Sequence, residues 1–197
     1  MSSSPRMVVM GRWEPDAQGR LGQAAMELYL ERGFDQTTVA DIAERAGLTE
    51  RTFFRHFADK REVLFGGQEL LHDCVTKAIA AVPDSTEPIE VMAAALDAVT
   101  EMIGNRPEFS RQRQAVIAAH AALQERELIK LASLAATSAE ALRGRGVPDP
   151  AASLTAEVGI AAFKVGFVCW VESDQQRSLS GYVRDALDEL KAVMAGR

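Results

Sequence analysis

Two arginines, Arg51 and Arg55, lie four positions apart in the segment LTERTFFRHF. If this segment is helical, the two side chains project from the same face. A guanidinium group can donate two parallel hydrogen bonds to the O6 and N7 atoms of guanine, while threonine and histidine side chains can hold phosphates. An isolated pair of arginines is also typical of an ordinary solvated helix. Whether the pair reads DNA or only solvates a helix therefore depends on the secondary structure around it.

The segment before the arginines has the pattern of a short amphipathic helix. Apolar residues recur at helical spacing over 39–46, which predicts one buried face. Thr38 and Asp41 have the spacing of a capping box, and this predicts where the helix starts. Gly47 follows directly and is suited to the left-handed conformation that ends a helix. We predict a helix over 38–46 and a tight turn after it.

A second short helix is predicted over 49–57. Thr49 can cap its first turn, and Phe53 and Phe57, four positions apart, form its buried side. Two short helices joined by a glycine-containing turn, the second with arginines on its free face, form a helix-turn-helix. The exposed side is predicted to contain Glu50, Arg51, Phe54 and Arg55, with Thr52 and His56 at its margins.

A second capping box is formed by Asp59 and Glu62. It predicts a long helix over 60–81 with Lys60 and Arg61 in the first turn. Positive charge at a helix start opposes the helix dipole, so a nearby anion would stabilise this arrangement.

Residues 16–65, and above all TTVADIAERAGLTERTFFRHFADKREVLF, resemble the DNA-binding domain of TetR-family transcriptional regulators, without a gap through the motif. The resemblance implies three N-terminal helices, the third being the recognition helix, and a variable ligand-binding domain after them. Phe54 stands where the family usually has tyrosine, so a phosphate bond from a hydroxyl is lost, while the ring can still pack on a sugar or a thymine methyl. For Lys60 the resemblance implies a phosphate contact. The implied DNA-binding residues are Thr38, Thr49, Glu50, Arg51, Thr52, Phe54, Arg55, His56 and Lys60.

The composition fits a globular all-α protein. The chain has 197 residues, 47% of them hydrophobic and 25% charged, and no stretch has a strand-like alternation. Its seven prolines all fall between periodic segments, which marks the ends of about nine helices. The predicted helices span 16–32, 38–46, 49–57, 60–81, 88–104, 108–121, 125–144, 150–173 and 179–195.

The net charge of −6 argues against a protein that coats nucleic acid non-specifically, but it is compatible with a local basic patch. Residues 1–62 contain nine basic and ten acidic side chains, and residues 63–197 contain 13 and 18, so the two parts carry −1 and −5. DNA affinity must therefore come from the placement of a few basic side chains.

The sequence predicts neither catalysis nor a bound cofactor or metal. It shows no nucleophile–base arrangement, no glycine-rich phosphate loop and no metal-ligand spacing. Cys74 and Cys169 have no paired spacing, which suggests a reducing compartment. No uninterrupted apolar run approaches the roughly 18 residues that cross a bilayer. We expect a cytoplasmic protein without a membrane partner.

Three parts are expected along the chain: a flexible N-terminal arm over 1–15, a helix-turn-helix domain over 16–62 and a ligand-binding and dimerisation domain over 63–197. Gly66 and Gly67 interrupt the helix predicted to join the last two. Each glycine costs about 1 kcal/mol inside a helix. They are either a hinge or a point where another helix packs closely.

The last two predicted helices suggest a homodimer. Helix 150–173 is apolar nearly all round, and helix 179–195 has an apolar side at helical spacing. Pairing with the same helices of a second copy would cover both, as the resemblance also implies; packing inside a monomeric core is the alternative. The expected interface residues are Leu154, Val158, Val165, Val183, Leu187, Leu190 and Met194.

Apolar stripes on the other helices suggest a ligand pocket, although such stripes are more often plain core. The candidates are Met92, Leu96, Val99, Met102, Phe109, Val116, His120, Phe163, Phe167 and Trp170. The sequence thus predicts a transcriptional regulator, more specifically a repressor released from a palindromic operator by a small, largely apolar ligand. The alternative is a dimeric helical interaction module or ligand carrier without operator specificity.

Overall fold

The computed structural model describes residues 17–104, 106–173 and 177–196. Within these ranges the chain forms nine α-helices, one 3₁₀ turn at Glu62–Phe65 and no strand, which confirms the all-α class. The expected N-terminal arm over 1–15 lies outside the described residues. The helices are α1 (Ala17–Arg32), α2 (Val39–Arg45), α3 (Glu50–His56), α4 (Gln68–Ala81), α5 (Pro88–Ile103), α6 (Pro107–Ala118), α7 (Ala121–Gly144), α8 (Ala151–Glu172) and α9 (Leu179–Met194).

The chain divides into two compact units between Val63 and Leu64. The N-terminal unit contains α1, α2 and α3, and each helix contributes a fully buried apolar side chain: Leu21, Ile42 and Phe53. Because α2 and α3 have only seven residues each, this shared core supplies the stability that their length cannot.

The C-terminal unit contains α4 to α9, with α8 packed against α5, α7 and α9. Two glycines of α8 allow the close approach. A Cβ atom on Gly166 would lie 2.7 Å from the Val183 Cα atom, and one on Gly159 would lie 2.5 Å from the Met92 Cγ atom. This close helix approach lies inside one subunit.

Helix α8 is long and apolar enough, by length and composition, to span a membrane, and it is the one such helix in the described ranges. The sequence contains no uninterrupted run of that length because Glu157 and Lys164 break it. Ile160 and Trp170 on one side of α8 are buried in the core of the unit. The length and composition of α8 are thus also those of a core helix, and by themselves they are weak evidence of a membrane span.

The helix predicted over 60–81 is not continuous. Residues 62–65 form the 3₁₀ turn, and α4 begins only at Gln68. Asp59 does accept hydrogen bonds from the backbone N–H groups of Arg61 and Glu62, but these close a short turn instead of starting a long helix. Gly67 has a left-handed backbone (φ +85°) at the N-cap of α4. The break therefore has a conformational cause that helix periodicity does not reveal.

Arginine side chains cap the C-terminal ends of several helices in the C-terminal unit. Arg145 donates to the carbonyls of Ile79 and Val82 at the end of α4, at 2.9 and 2.7 Å. Arg111 of α6 donates to the carbonyl of Ser173, just beyond α8, at 2.9 Å. Carbonyls in the last turn of a helix have no intrahelical partner, and a guanidinium can bond several of them at once.

Arg113 of α6 carries a largely buried charge. Its Nε atom donates to the Leu64 carbonyl at 2.8 Å, and its Nη1 atom lies 3.1 Å from Glu127 of α7. Burial lowers the pKa of this guanidinium, and the Glu127 carboxylate opposes that effect. The pair therefore joins α6, α7 and the first residue of the unit.

Replacing Gly67 by alanine should destabilise the C-terminal unit by about 1 kcal/mol, because an L-residue is strained in the left-handed region. No atom lies within 4 Å of the Cβ position at Gly67, so a steric clash would not contribute. Gly144 is the matched control, since its Cβ position is equally open and its φ is not positive. Urea unfolding of Gly144→Ala should give wild-type or higher stability. Equal stability of the two variants would contradict the conformational explanation.

Candidate nucleic-acid interface

The start of α2 has the predicted capping box. The Thr38 backbone N–H donates to Asp41 Oδ2 at 2.8 Å, and the Asp41 N–H donates back to Thr38 Oγ1 at 3.1 Å. Arg32, at the end of α1, lies 3.1 Å from the same carboxylate. These contacts fix the first turn of α2 against the end of α1.

The turn between α2 and α3 requires glycine for two reasons. Gly47 has a φ of +65°, and a Cβ atom there would lie 2.9 Å from the Arg20 Nη2 atom. Arg20 reaches this position from α1 and donates to the Ala46 carbonyl at the end of α2. The tight turn is therefore both left-handed, as the sequence predicted, and crossed by a side chain from α1.

Helix α3 presents two distinct sides. Thr49 accepts a hydrogen bond from the Thr52 N–H at 3.2 Å, as its position predicted. Phe53 and Phe57 are buried, and their ring centroids are 5.5 Å apart. The other side is exposed, and 55% of the Phe54 surface is accessible. Exposed residues on this side are Glu50, Arg51, Phe54 and Arg55, with Thr52 and His56 half-buried at its margins. Thr38 is exposed at the start of α2.

Most cations of the N-terminal unit are occupied within it. Residues 17–63 include seven basic side chains: Arg20, Arg32, Arg45, Arg51, Arg55, Lys60 and Arg61. Besides the contacts of Arg20 and Arg32, Arg45 pairs with Glu31 at 2.7 Å and Arg61 pairs with Asp59 at 2.5 Å. Lys60 donates to three backbone carbonyls. Among the described residues of this unit, Arg51 and Arg55 are the basic side chains that bond neither a carboxylate nor a backbone carbonyl; Arg55 Nη2 lies 3.4 Å from His56 Nε2.

The exposed face of α3 is therefore locally positive in a protein of net charge −6. Two other carboxylates of the unit belong to ion pairs, and their pKa values reflect this. The Arg45 guanidinium holds the pKa of Glu31 below its usual range, and the Arg61 guanidinium does the same for Asp59. These carboxylates stay charged and pair with Arg45 and Arg61, whereas the exposed face of α3 contains two arginines and one carboxylate, Glu50.

The predicted pocket residues are spread over several environments in the C-terminal unit. The main core cluster includes Met92, Leu96, Val99 and Trp170, with Phe163 and Phe167 packed against it, and Val116 is also buried. Phe109 is half-buried. His120 is half-buried too, at the N-cap of α7, and lies 2.9 Å from the Val116 carbonyl. Met102, near the end of α5, is 42% exposed and lies outside the cluster, and its place in a pocket wall stays a prediction.

The predicted interface residues divide into surface and core. Leu154 and Val165 are exposed to more than half of their surface, as is Met194, while Val158 and Leu190 are half-buried. Val183 and Leu187 are only 2% exposed because α9 packs this side against the core of its own subunit. Their assignment to an interface is corrected to the subunit core.

Sequence reasoning missed the cations that position the helices. Arg20, Arg111, Arg113 and Arg145 donate to carbonyls far away in sequence, so no local pattern identifies them. No group of three or more potential metal ligands occurs in the part of the chain that the structure describes.

The three helices, the glycine turn and the exposed arginines of α3 have the arrangement of a helix-turn-helix motif. Residues 22–65 match the profile of the family described as bacterial regulatory proteins, tetR family. Over these residues the chain is similar to the N-terminal domain of that family.

Among curated proteins, the chain is similar to the HTH-type transcriptional regulator TcmR of Streptomyces glaucescens, with 38% identity over 80 residues. The match covers 41% of this chain and 35% of TcmR, so it spans about a third of that relative.

Solved structures share the fold over most of the chain. One is FadR of Thermus thermophilus, a TetR-family transcriptional repressor in complex with lauroyl-CoA, with a TM-score of 0.56, 23% identity and coverage of 90% of this chain and 94% of that one. Another is SmeT, the repressor of the Stenotrophomonas maltophilia multidrug efflux pump SmeDEF, with a TM-score of 0.57, 19% identity and coverage of 91% and 90%. At these identities the likeness concerns the fold.

The capping box predicts a specific pH dependence. Hydrogen bonds from Thr38 hold the pKa of Asp41 below its ordinary value of 3.8, and Arg32 adds to the effect. A lowered pKa in the folded state gives stability that is present above the unfolded pKa and is lost as pH falls through the folded pKa. In Asp41→Asn, the N-terminal unit should therefore lose less stability below about pH 4 than in the wild type.

Urea unfolding at a series of pH values measures this loss, with amide exchange in residues 17–63 as the readout. Glu44→Gln, an exposed carboxylate substitution on the same helix, is the control and should keep the wild-type profile. A wild-type profile in Asp41→Asn as well would contradict the assignment.

Proposed function

We propose that this chain is a homodimeric transcriptional regulator, acting as a repressor, which binds a partly palindromic operator through α3. A small, largely apolar ligand bound in the C-terminal unit would release it. The observation that carries the proposal concerns two exposed cations. Arg51 and Arg55 both lie on the exposed face of α3 and bond neither a carboxylate nor a backbone carbonyl, whereas the other described cations of that unit do. The resemblance to TcmR over 80 residues supports it.

In this proposal, α3 enters the major groove. Arg51 and Arg55 donate to guanine O6 and N7, and Glu50 can accept from a cytosine amino group. The Phe54 ring has no hydroxyl for a phosphate and packs on a sugar or a thymine methyl. Phosphate contacts would come from Thr38, Thr49, Thr52 and His56, with backbone N–H groups at the starts of α2 and α3.

A dimer would place two α3 helices in successive major grooves, roughly 34–36 Å apart. The exposed stripe on α8 supports this assembly. Its apolar side chains at Leu154, Val158, Val165 and Val168 recur at helical spacing, and three of them are largely exposed in the subunit. A large exposed apolar stripe is costly in water, and a two-fold axis would cover it with the same stripe of a second copy.

The ligand would act by linkage. It can release DNA only to the extent that its affinity differs between the conformation that fits the operator and one that does not. The apolar lining predicted for the pocket favours an apolar ligand, and FadR of T. thermophilus was crystallised with lauroyl-CoA. A fatty acyl thioester is therefore a reasonable first probe. A regulator of this kind acts in the cytoplasm, where bacterial DNA lies.

Arg51→Ala and Arg55→Ala should each weaken operator binding by about 1–3 kcal/mol, because each removes a bidentate contact to a base. The measurement is fluorescence anisotropy at moderate salt with DNA from the flanks of the protein's own gene. Lys77→Ala removes one exposed charge of the C-terminal unit and should bind like the wild type. Wild-type affinity in both arginine variants would refute the role of α3, and salt-sensitive binding that ignores sequence would favour a module without operator specificity.

Val165→Glu should convert the dimer to a monomer, since two buried carboxylates would face each other across the two-fold axis. Val165 is 57% exposed in the subunit, so the subunit itself should stay folded. Leu128→Glu introduces the same charge at an apolar position of α7 that is 59% exposed, and it should remain dimeric. Sedimentation velocity distinguishes the species. A dimer of Val165→Glu would place the interface elsewhere.

A further inference from the structure

Lys60 directs its charge into the N-terminal unit. Its Nζ atom donates to the carbonyls of Phe34 and Thr37, both at 2.9 Å, and lies 3.3 Å from the carbonyl of Asp35. The ammonium also lies 4.4 Å from the centroid of the Phe34 ring, within the range of a cation–π interaction. An ammonium has three N–H donors. All three are used by one loop, and none is left for a phosphate oxygen.

The loop that Lys60 binds leads directly into α2. Phe34, Asp35 and Thr37 lie between the end of α1 and Thr38, the N-cap of α2. Thr37 is fully buried, and its hydroxyl donates to the Gly33 carbonyl at 2.9 Å. The position of this loop therefore determines where α2 begins.

The backbone of Lys60 is held from the same side. The Tyr29 hydroxyl of α1 donates to the Lys60 carbonyl at 2.6 Å. Burial raises the pKa of this hydroxyl, and the Asp59 carboxylate raises it further, so the phenol keeps its proton. The Tyr29 and Phe34 rings are in edge-to-face contact at 5.2 Å. Both the side chain and the backbone of Lys60 thus join the turn after α3 to the segment before α2.

We infer that Lys60 is a positioning residue of the DNA-binding unit, which holds the two ends of the helix-turn-helix together, and that it is not a phosphate contact. The inference rests on the proposed function, since positioning matters only if α3 reads DNA. Withdrawing the ammonium to bind a phosphate would break its hydrogen bonds to three loop carbonyls, and the loss of these bonds costs stability. The charge that meets the operator is then that of α3 alone.

The two roles of Lys60 predict different behaviour of Lys60→Met, which has a similar length without charge or donors. If Lys60 positions the loop, amides over 33–38 should exchange about tenfold faster in the absence of DNA, since lost contacts open the loop. Operator affinity should fall, yet the slope of log K against log salt should match the wild type. If Lys60 contacts a phosphate, exchange should be unchanged and the slope should fall by about 0.9.

Lys60→Arg provides a second variant. A guanidinium can still bind phosphate, but its planar donors do not reproduce three bonds from one nitrogen. Faster exchange over 33–38 in this variant supports the inference, and wild-type exchange in both variants overturns it. Arg61→Met is the control for loss of a neighbouring charge, and its exposed ion pair should contribute little.

The exchange measurement needs no DNA. If the wild type fails to bind the operator, the proposed function is wrong. The amide exchange over 33–38 still shows whether Lys60 holds the loop. If the wild type binds and Lys60→Met loses salt slope without faster exchange, only the positioning role is wrong.

Discussion

Two helices of seven residues, α2 and α3, are too short to persist by themselves in water, and the DNA-binding unit is built around this constraint. Each helix begins with a threonine cap, and the carbonyl at the end of α2 is bonded by Arg20 from α1. Phe53 then buries the shared side of α3. The orientation of α3 thus depends on contacts from outside the motif, and a change in any of them alters the surface that meets DNA.

Cations serve two purposes in this protein, and the distinction explains how an acidic chain can bind DNA. Most described cations of the N-terminal unit are used internally, either on carbonyls, as in Lys60, or on carboxylates, as in Arg45. The same use recurs in the C-terminal unit, where Arg145 closes the end of α4. Each internal contact removes one positive charge from the surface available to DNA. Under the proposed function, specific binding would rely on Arg51 and Arg55, with salt dependence set by few phosphate contacts.

The C-terminal unit has an apolar core that is buried within one subunit and an apolar stripe on α8 that stays exposed. Val183 and Leu187 lie on the apolar side of α9, which was expected to face a second copy, yet the helix buries them against its own subunit. Val165 lies on the opposite side of α8 from the core and stays exposed. One apolar side of α8 packs into the subunit core and the other stays exposed, and helical periodicity alone does not distinguish the two sides.

The sequence by itself determined the local features of this protein: the capping box at Thr38, the left-handed turn at Gly47, and the buried Phe53 opposite an exposed Phe54. Each depends on residues within a few positions of one another, where propensity and spacing are sufficient. Only the tertiary structure decided that Lys60 points inward, that Gly67 has a left-handed backbone where the two glycines interrupt the helix, and that Val183 belongs to the core. These depend on partners 20 or more residues away or on a backbone conformation that packing selects, and neither leaves a periodic signal in the chain.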